Sequence, residues 1–358
     1  MRGMQLTNGL RTLATLIFLL FSVRPAAPQS APAEGGLQFA ELGDLKLRSG
    51  AVIQDFRLGY RTLGRLNADK SNAILWPSWL GGKSEDLLQF IGPGKVIDST
   101  RYFVILVDAI ADGVSTSPSN SRKQPLGKFP EIAIRDMVES EHRLATEVLH
   151  LPHLRAVIGA SMGGMQTWMW GEMYPDLMDG LVPIASMPIQ ISGRNWINRR
   201  IRIEAIKHDP EYHDGNYEKN PTHWIYTSPS GAMSTESAWQ IQQSAPTRDA
   251  GDAMYRKLVE DAAKNDANNT LYGIEAVMDY DPSKDLEKIK AHLMAINFAD
   301  DEANPPDLHV LEPAVKRIAH AQYVLIPGSE KTHGHYTHLR AAIWKSHLAD
   351  FMKQLPPP

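Results

Sequence analysis

The apolar positions of this chain fall into two rhythms. Unbroken apolar runs recur at "NAILWP" (Asn72–Pro77), "RYFVILVD" (Arg101–Asp108), "RAVIGAS" (Arg155–Ser161), "GLVPIAS" (Gly180–Ser186), "HLMAINFAD" (His292–Asp300) and "QYVLIPG" (Gln322–Gly328). Runs without polar alternation suit strands covered on both faces, as in a parallel sheet. Two earlier segments, "LQFAELGDLKLRSG" and "FRLGYRTLG", carry turn residues between them and predict a hairpin.

The second rhythm is helical. Within Ile132–His150, residues Ile134, Met137, Val138, His142 and Leu144 fall near one face. "MQTWMWGEMY" predicts a helix stopping at Pro175, and "DLHVLEPAVKRIAHA" and "LRAAIWKSHLADFMKQL" predict two later ones. Strands alternating with helices predict a mostly parallel, doubly wound α/β sheet. One region breaks the alternation. From about residue 187 to 290 the chain is polar, rich in Trp, Tyr and Asn, and helical in pattern, which predicts a cap inserted between two strands.

Composition changes this picture little. The chain has 358 residues, a net charge of -4 and no long basic block, which disfavours nucleic acid as a partner. It has no cysteine, so disulfides, a thiol nucleophile and thiolate metal sites are excluded. The N-terminus does change the picture. Basic Arg2 and Arg11, an apolar core from about Leu13 to Val23 and a Pro/Ala/Ser stretch follow in the order of a secretory leader. The expected division is therefore a leader and linker over 1–33 and one domain over 34–358. Ala31-Pro32-Ala33 fits a small-x-small cleavage pattern. Cleavage there removes Arg2, Arg11 and Arg24 and no acid, leaving an exported, more acidic chain with no stable membrane anchor.

Candidate chemistry begins at Gly159-Ala160-Ser161-Met162-Gly163, a G-x-S-x-G between a predicted strand and a predicted helix. That context is the nucleophile elbow of the α/β-hydrolase fold, with the Met162 N–H as one oxyanion donor. A serine hydroxyl needs a base to take its proton. In this fold the acid and then the histidine follow the serine along the chain. Asp300 and Asp301 end one late strand, and His333, His335 and His338 follow the last. A His-x-His-x-x-His zinc site is the competing reading of those histidines, but its spacing is not a standard one.

The chain resembles the homoserine O-acetyltransferase group of the α/β-hydrolase superfamily. The matching segments are "FIGPGKVIDSTRYFVI", "FPEIAIRDMVESEHRL", "AVIGASMGGMQTWMWGEMYPD", "AIKHDPEYHDGNY" and the Gly334-His335 pair. They span most of the chain from about Leu37 to Trp344. The resemblance implies Asp301 as triad acid, since Pro305 lies four positions on, and His335 as base, with His333 and His338 at the rim. It also implies Leu80, in "WPSWLGGKSED", as the second oxyanion donor. Trp79 beside it is a candidate wall of the acyl pocket. Trp168 and Trp170 are expected in the core, and Trp196, Trp224 and Trp239 in the cap, where aromatics often wall a cleft. Members of the group often dimerise, so a homodimer is an expectation. No metal or organic cofactor is implied.

The recognition segments depart from the group. The oxyanion loop reads Ser78-Trp79-Leu80-Gly81-Gly82 where the group has His-Ala-Leu-Thr-Gly. A glycine-rich segment is replaced by "DAIADGVSTSPSNS", and the cap's usual arginine is missing from "SGAMSTESAWQIQQ". Arg199, Arg200 and Arg202 could bind a carboxylate, although "NRRIR" reads first as a solvated helix face. The expected activity is an exported serine hydrolase acting on a small-molecule carboxylic ester through an acyl-enzyme. The alternative is acyl-CoA-dependent O-acyl transfer.

Overall fold

The computed structural model describes Met1 and residues 34–357. The expected leader lies outside the described residues. Residues 34–357 form one compact unit. Among the described residues, no helix is long and apolar enough to cross a membrane.

Every strand-like run becomes a strand. These are β1 (Gln38–Lys46), β2 (Val52–Leu63), β3 (Ala73–Pro77), β4 (Phe103–Val107), β5 (Leu154–Ala160), β6 (Met178–Ile184), β7 (His292–Phe298) and β8 (Ala321–Ile326). They form one eight-stranded sheet in the order β1-β2-β4-β3-β5-β6-β7-β8. β1 and β2 make the antiparallel hairpin, with register shifts around Gly43. β2 joins β4 antiparallel, and the pairings from β4 onward are parallel. β3, β5 and most of β6 are buried because helices cover both faces.

Alternate residues of each strand feed two core layers. Leu75, Ile105 and Val157 face a layer that includes Met137, Trp168 and Trp170. Ile74, Val104 and Ile158 face a layer that includes Phe90, Trp344 and Phe351. Each fully buried side chain of this size contributes roughly 1.5–3 kcal/mol.

The helices are α1 (Ser84–Leu87), α2 (Ile134–Arg143), α3 (Met162–Met173), α4 (Gly193–Lys207), α5 (Pro229–Thr235), α6 (Ala238–Ser244), α7 (Arg248–Ala262), α8 (Ala267–Glu275), α9 (Leu311–Val315) and α10 (Ala341–Gln354). Asp136 fixes the start of α2 by accepting from Ala133 N at 2.8 Å. A π turn over Leu144–Val148 ends it earlier than the periodicity predicts. α9 is also shorter than its pattern predicts. His309 takes a left-handed conformation (φ 50°), which breaks the helix expected from Asp307 onward.

Helices α4 to α8 all lie between β6 and β7. They have their own apolar cluster, built on Ile203, Ile206, Tyr212, Trp224, Leu271 and Ile274. Trp224 is 1% exposed, so it is a core residue of this layer rather than a cleft wall.

Candidate active site

The turn after β5 forces the serine outward. Ser161 takes φ 56°, ψ -120°, a conformation L-residues avoid and which costs about 1–3 kcal/mol. The strain is tolerated because the turn is tightly enclosed. A Cβ on Gly159 would lie 2.1 Å from Gly163 O, and one on Gly163 would lie 2.6 Å from Pro77 O. Ser161 N donates to Ile184 O at 2.9 Å, which ties the turn to β6.

Two loops bring partners to the hydroxyl. His335 Nε2 lies 2.8 Å from Ser161 Oγ, and His335 Nδ1 lies 2.9 Å from Asp301 Oδ2. Asp301 is 1% exposed. Its other oxygen accepts from Ala303 N at 2.8 Å and Asn304 N at 3.0 Å, which fixes the carboxylate toward the ring. Asp300 points elsewhere. Its Oδ2 accepts from Thr332 Oγ1 at 2.7 Å and Gly334 N at 3.2 Å, so it clamps the turn that presents His335.

The other two histidines separate. His333 is half-buried, with Nδ1 3.1 Å from Glu236 Oε1, and links the cap to the histidine turn. His338 is buried, not at the rim as expected. Its Nδ1 donates to His335 O at 2.7 Å, and its ring stands edge-on to Trp79 at 5.3 Å. The turn winds as a 3-10 helix over Gly334–Leu339, which carries position 338 inward. Burial, then the neighbouring His335, pushes the His338 pKa down to about 3, so its ring stays neutral. With three different partners, these side chains do not converge on a zinc ion.

The oxyanion-side loop leaves β3 beside the elbow. Ser78 N donates to Val107 O at 2.9 Å, and Ser78 Oγ accepts from Ala109 N at 3.0 Å. Gln166 Nε2 on α3 donates to Ser78 O at 3.2 Å. Asp108 holds the far end of the loop, accepting from Ser84 N at 2.7 Å and Ser84 Oγ at 2.6 Å. Burial raises the Asp108 pKa. Burial and then the Asp108 charge raise that of Asp112 well above the carboxylate range. Among the described residues, the N–H groups of Leu80 and Met162 have no hydrogen-bond acceptor in the protein. Met162 is the first residue of α3, so the helix N-terminus faces the serine. The Leu80 side chain packs into the cap's apolar cluster, and Trp79 packs against the sheet's second layer.

The cap grips both loops. Asn195 Nδ2 donates to Ala303 O at 3.0 Å, and Gln240 Nε2 donates to Glu330 O at 2.9 Å. Arg194 pairs with Glu302. A cleft of about 380 Å³ opens on the acid side, lined by Trp239, Asp300, Asp301, Asp307 and Glu330. The "NRRIR" segment is not one solvated face. Arg200 is exposed and pairs with Glu204, but Arg199 and Arg202 are half-buried. Trp196 is partly buried against the cluster, Trp239 is exposed, and Trp168 and Trp170 are fully buried.

Among the described residues, Asp209, Glu211 and His223 of the cap are close enough to share a metal ion. Asp209 is already occupied structurally. Its oxygens accept from Glu211 N, His223 N and Trp224 N at 2.8–3.0 Å.

Asp300, Asn304 and His338 act around the site in ways the sequence reading missed. Each reaches it through a loop fold rather than through motif spacing.

Comparison with known proteins agrees with this architecture. The model of the alpha/beta hydrolase fold family matches residues 80–331. A probable esterase of Corynebacterium glutamicum is 29% identical over 319 residues, covering 84% of this chain and 88% of that protein. A homoserine O-acetyltransferase of Acidiphilium cryptum is 30% identical over 276 residues, covering 71% of this chain and 70% of that protein. The solved structure of an acetylester hydrolase from Corynebacterium glutamicum superposes with a TM-score of 0.80 at 25% identity, covering 89% of this chain and 96% of that one. The chain is thus an enzyme of hydrolase or acyltransferase type, and it belongs to the α/β-hydrolase fold family, in its homoserine acyltransferase-like group.

Proposed function

We propose that the chain is a serine esterase that cleaves a small-molecule carboxylic ester through an acyl-enzyme. The carrying observation is the hydrogen-bonded line from Ser161 Oγ through the His335 ring to Asp301. His335 Nε2 takes the hydroxyl proton as Ser161 attacks the ester carbonyl. The oxyanion forms against the Leu80 and Met162 N–H groups, and one such donor is typically worth about 10²–10³ in rate. His335 then protonates the departing alcohol oxygen. Asp301, fixed by two backbone amides, holds the ring tautomer and stabilises the imidazolium. Water, activated by His335, then releases the acid and restores Ser161.

Hydrolysis is favoured over transfer by the altered recognition segments at 78–82, 108–121 and 230–243. Relatives named as esterases support the same reading. The proposed leader adds a further argument, since an exported enzyme would be separated from cytoplasmic acetyl-CoA. The retained "GASMGGMQ" segment and the acyltransferase relatives keep transfer as the second reading.

The test is p-nitrophenyl acetate hydrolysis by the mature protein, then acetyl-CoA consumption, each with and without homoserine. Nitrophenol release without an added alcohol, lowered at least about 10⁴-fold in Ser161→Ala, is the expected result. Homoserine-dependent consumption of acetyl-CoA would replace this reading with transfer. Ester turnover at parental rate in Ser161→Ala would reject both.

A further inference from the structure

The two oxyanion donors belong to different elements, so something between those elements must set their spacing. Met162 opens α3, and Leu80 lies in the loop after β3. That loop makes a β-turn. Gly82 N donates to Trp79 O at 2.9 Å, and Gly81 takes φ 77° at the third position, as a type II turn requires. Leu80 holds the second position, where the turn makes no use of its N–H. The turn is therefore rigid in itself. Its distance from α3 depends on what anchors Ser78, the residue that leads into it.

Two of the anchors on Ser78 run to Val107 and Ala109, on the β4 side. The third runs to α3. Gln166 Nε2 lies 3.2 Å from Ser78 O and 3.3 Å from Met162 O. One amide group thus offers a hydrogen to each half of the oxyanion hole. Both partners are carbonyl oxygens, so the nitrogen and not the oxygen must face them. Among the described residues, no other hydrogen bond joins residues 78–82 to α3. Gly163 leaves room for the approach, since a Cβ there would lie 3.3 Å from Ser78 O. The Gln166 side chain is 0% exposed, and its Oε1 is buried without a partner. A buried, half-satisfied amide is unfavourable, and a methionine of similar volume would avoid that cost. Packing alone does not explain a glutamine here.

We propose that Gln166 sets the width of the oxyanion hole, as a positioning residue that ties the Leu80 turn to the start of α3. This rests on the reading of Ser161 as the acylated nucleophile. The donors must meet the oxygen where it stands in the tetrahedral intermediate, not in the ground-state ester. Acylation and deacylation both pass through such an oxyanion. Loosening the hole therefore lowers kcat and kcat/KM together and leaves KM nearly unchanged.

The experiment compares p-nitrophenyl acetate with p-nitrophenyl thionoacetate, whose carbonyl oxygen is replaced by sulfur. Sulfur is a weak hydrogen-bond acceptor, so the thionoester gains less from the two N–H groups. Gln166→Met is expected to lower kcat/KM for the oxygen ester about 10- to 100-fold, short of the 10²–10³ lost with a whole donor. The thionoester should fall by less than about threefold, and the pH profile of turnover should keep its midpoint, because His335 and Asp301 are untouched. Gln166→Glu keeps the shape and, as a buried protonated acid, one O–H donor, so its loss should be of the same kind and smaller. Should the methionine variant not fold, the glutamate variant decides by the same comparison. Equal losses on the two esters, a loss carried by KM, or parental rates would each overturn the proposal. If turnover needs an added alcohol, the same oxygen-selective loss is expected on acyl transfer, which shares the acyl-enzyme. Failure of the Ser161 reading shows separately, as hydrolysis that survives Ser161→Ala, and would overturn this proposal with it.

Discussion

The catalytic floor and the first cap helix place their charged groups at different depths. The floor buries carboxyl groups and holds them by hydrogen bonds. Asp301 accepts two backbone amides and faces His335, and Glu141 in α2 accepts from Trp170 Nε1 at 2.6 Å. Burial pushes the Glu141 pKa up to about 8, so its carboxyl is largely protonated at neutral pH. The first cap helix keeps its charges nearer water: Arg199 and Arg202 are half-buried and Arg200 is exposed. A carboxyl can shed its charge near neutral pH, whereas a guanidinium cannot. The floor can therefore bury a carboxyl in its neutral form, while the α4 arginines stay within reach of water.

The sharpest way to break this comparison is at the paired aspartates. Asp301→Asn should lower ester turnover by about 10⁴, because the amide stabilises the wrong ring tautomer and cannot balance an imidazolium. Asp300→Asn should have a much smaller effect, since it only loosens the turn held through Gly334 N. Steady-state kinetics on both variants checks the contrast, and equal losses would contradict the assignment.

Next in size is the cap's independence. Trp224 fills the cap's own cluster rather than the sheet's layers. Trp224→Ala should cost about 3–5 kcal/mol through the cavity it leaves. If the floor folds without the cap's full packing, denaturant unfolding should become biphasic. A single shifted transition would mean that cap and floor are one cooperative unit.

The smallest expected effect concerns Glu141. Its folded pKa, about 8, stands above the ordinary 4.5, so the unfolded state loses this proton first as pH rises. Stability from this group is full below about pH 4.5 and is lost as pH rises through about 8. At pH 7 the loss is on the order of 3 kcal/mol. Glu141→Gln should flatten that decline, read as melting temperature against pH, while the pH profile of turnover keeps its shape. An unchanged slope would mean that the carboxyl ionises freely in the folded protein.

How much was legible beforehand follows from how local each constraint is. The strands show in sequence because burial on both faces demands unbroken apolar runs, and the elbow shows because its glycines answer clashes within a few residues. The order of Ser161, the aspartates and the histidines places each after its own strand. The choice between Asp300 and Asp301 came only from resemblance, since adjacent residues share every local signal. The structure separates their roles by pointing one at the ring and the other at the Gly334 turn.

His338 departs from its expected place at the rim for a related reason. A histidine near a motif and a basic helix segment both look solvated until something packs on them. The 3-10 turn carries His338 inward, and the helical stripe of α4 half-buries Arg199 and Arg202. By itself the sequence determined the strand series, the strained serine turn and the chemical types that follow it, because those depend on near neighbours along the chain. Only the tertiary structure decided which aspartate faces His335, which histidine is buried and which α4 arginines are half-buried. Those are relations between loops and helices far apart in the chain, and packing alone sets them.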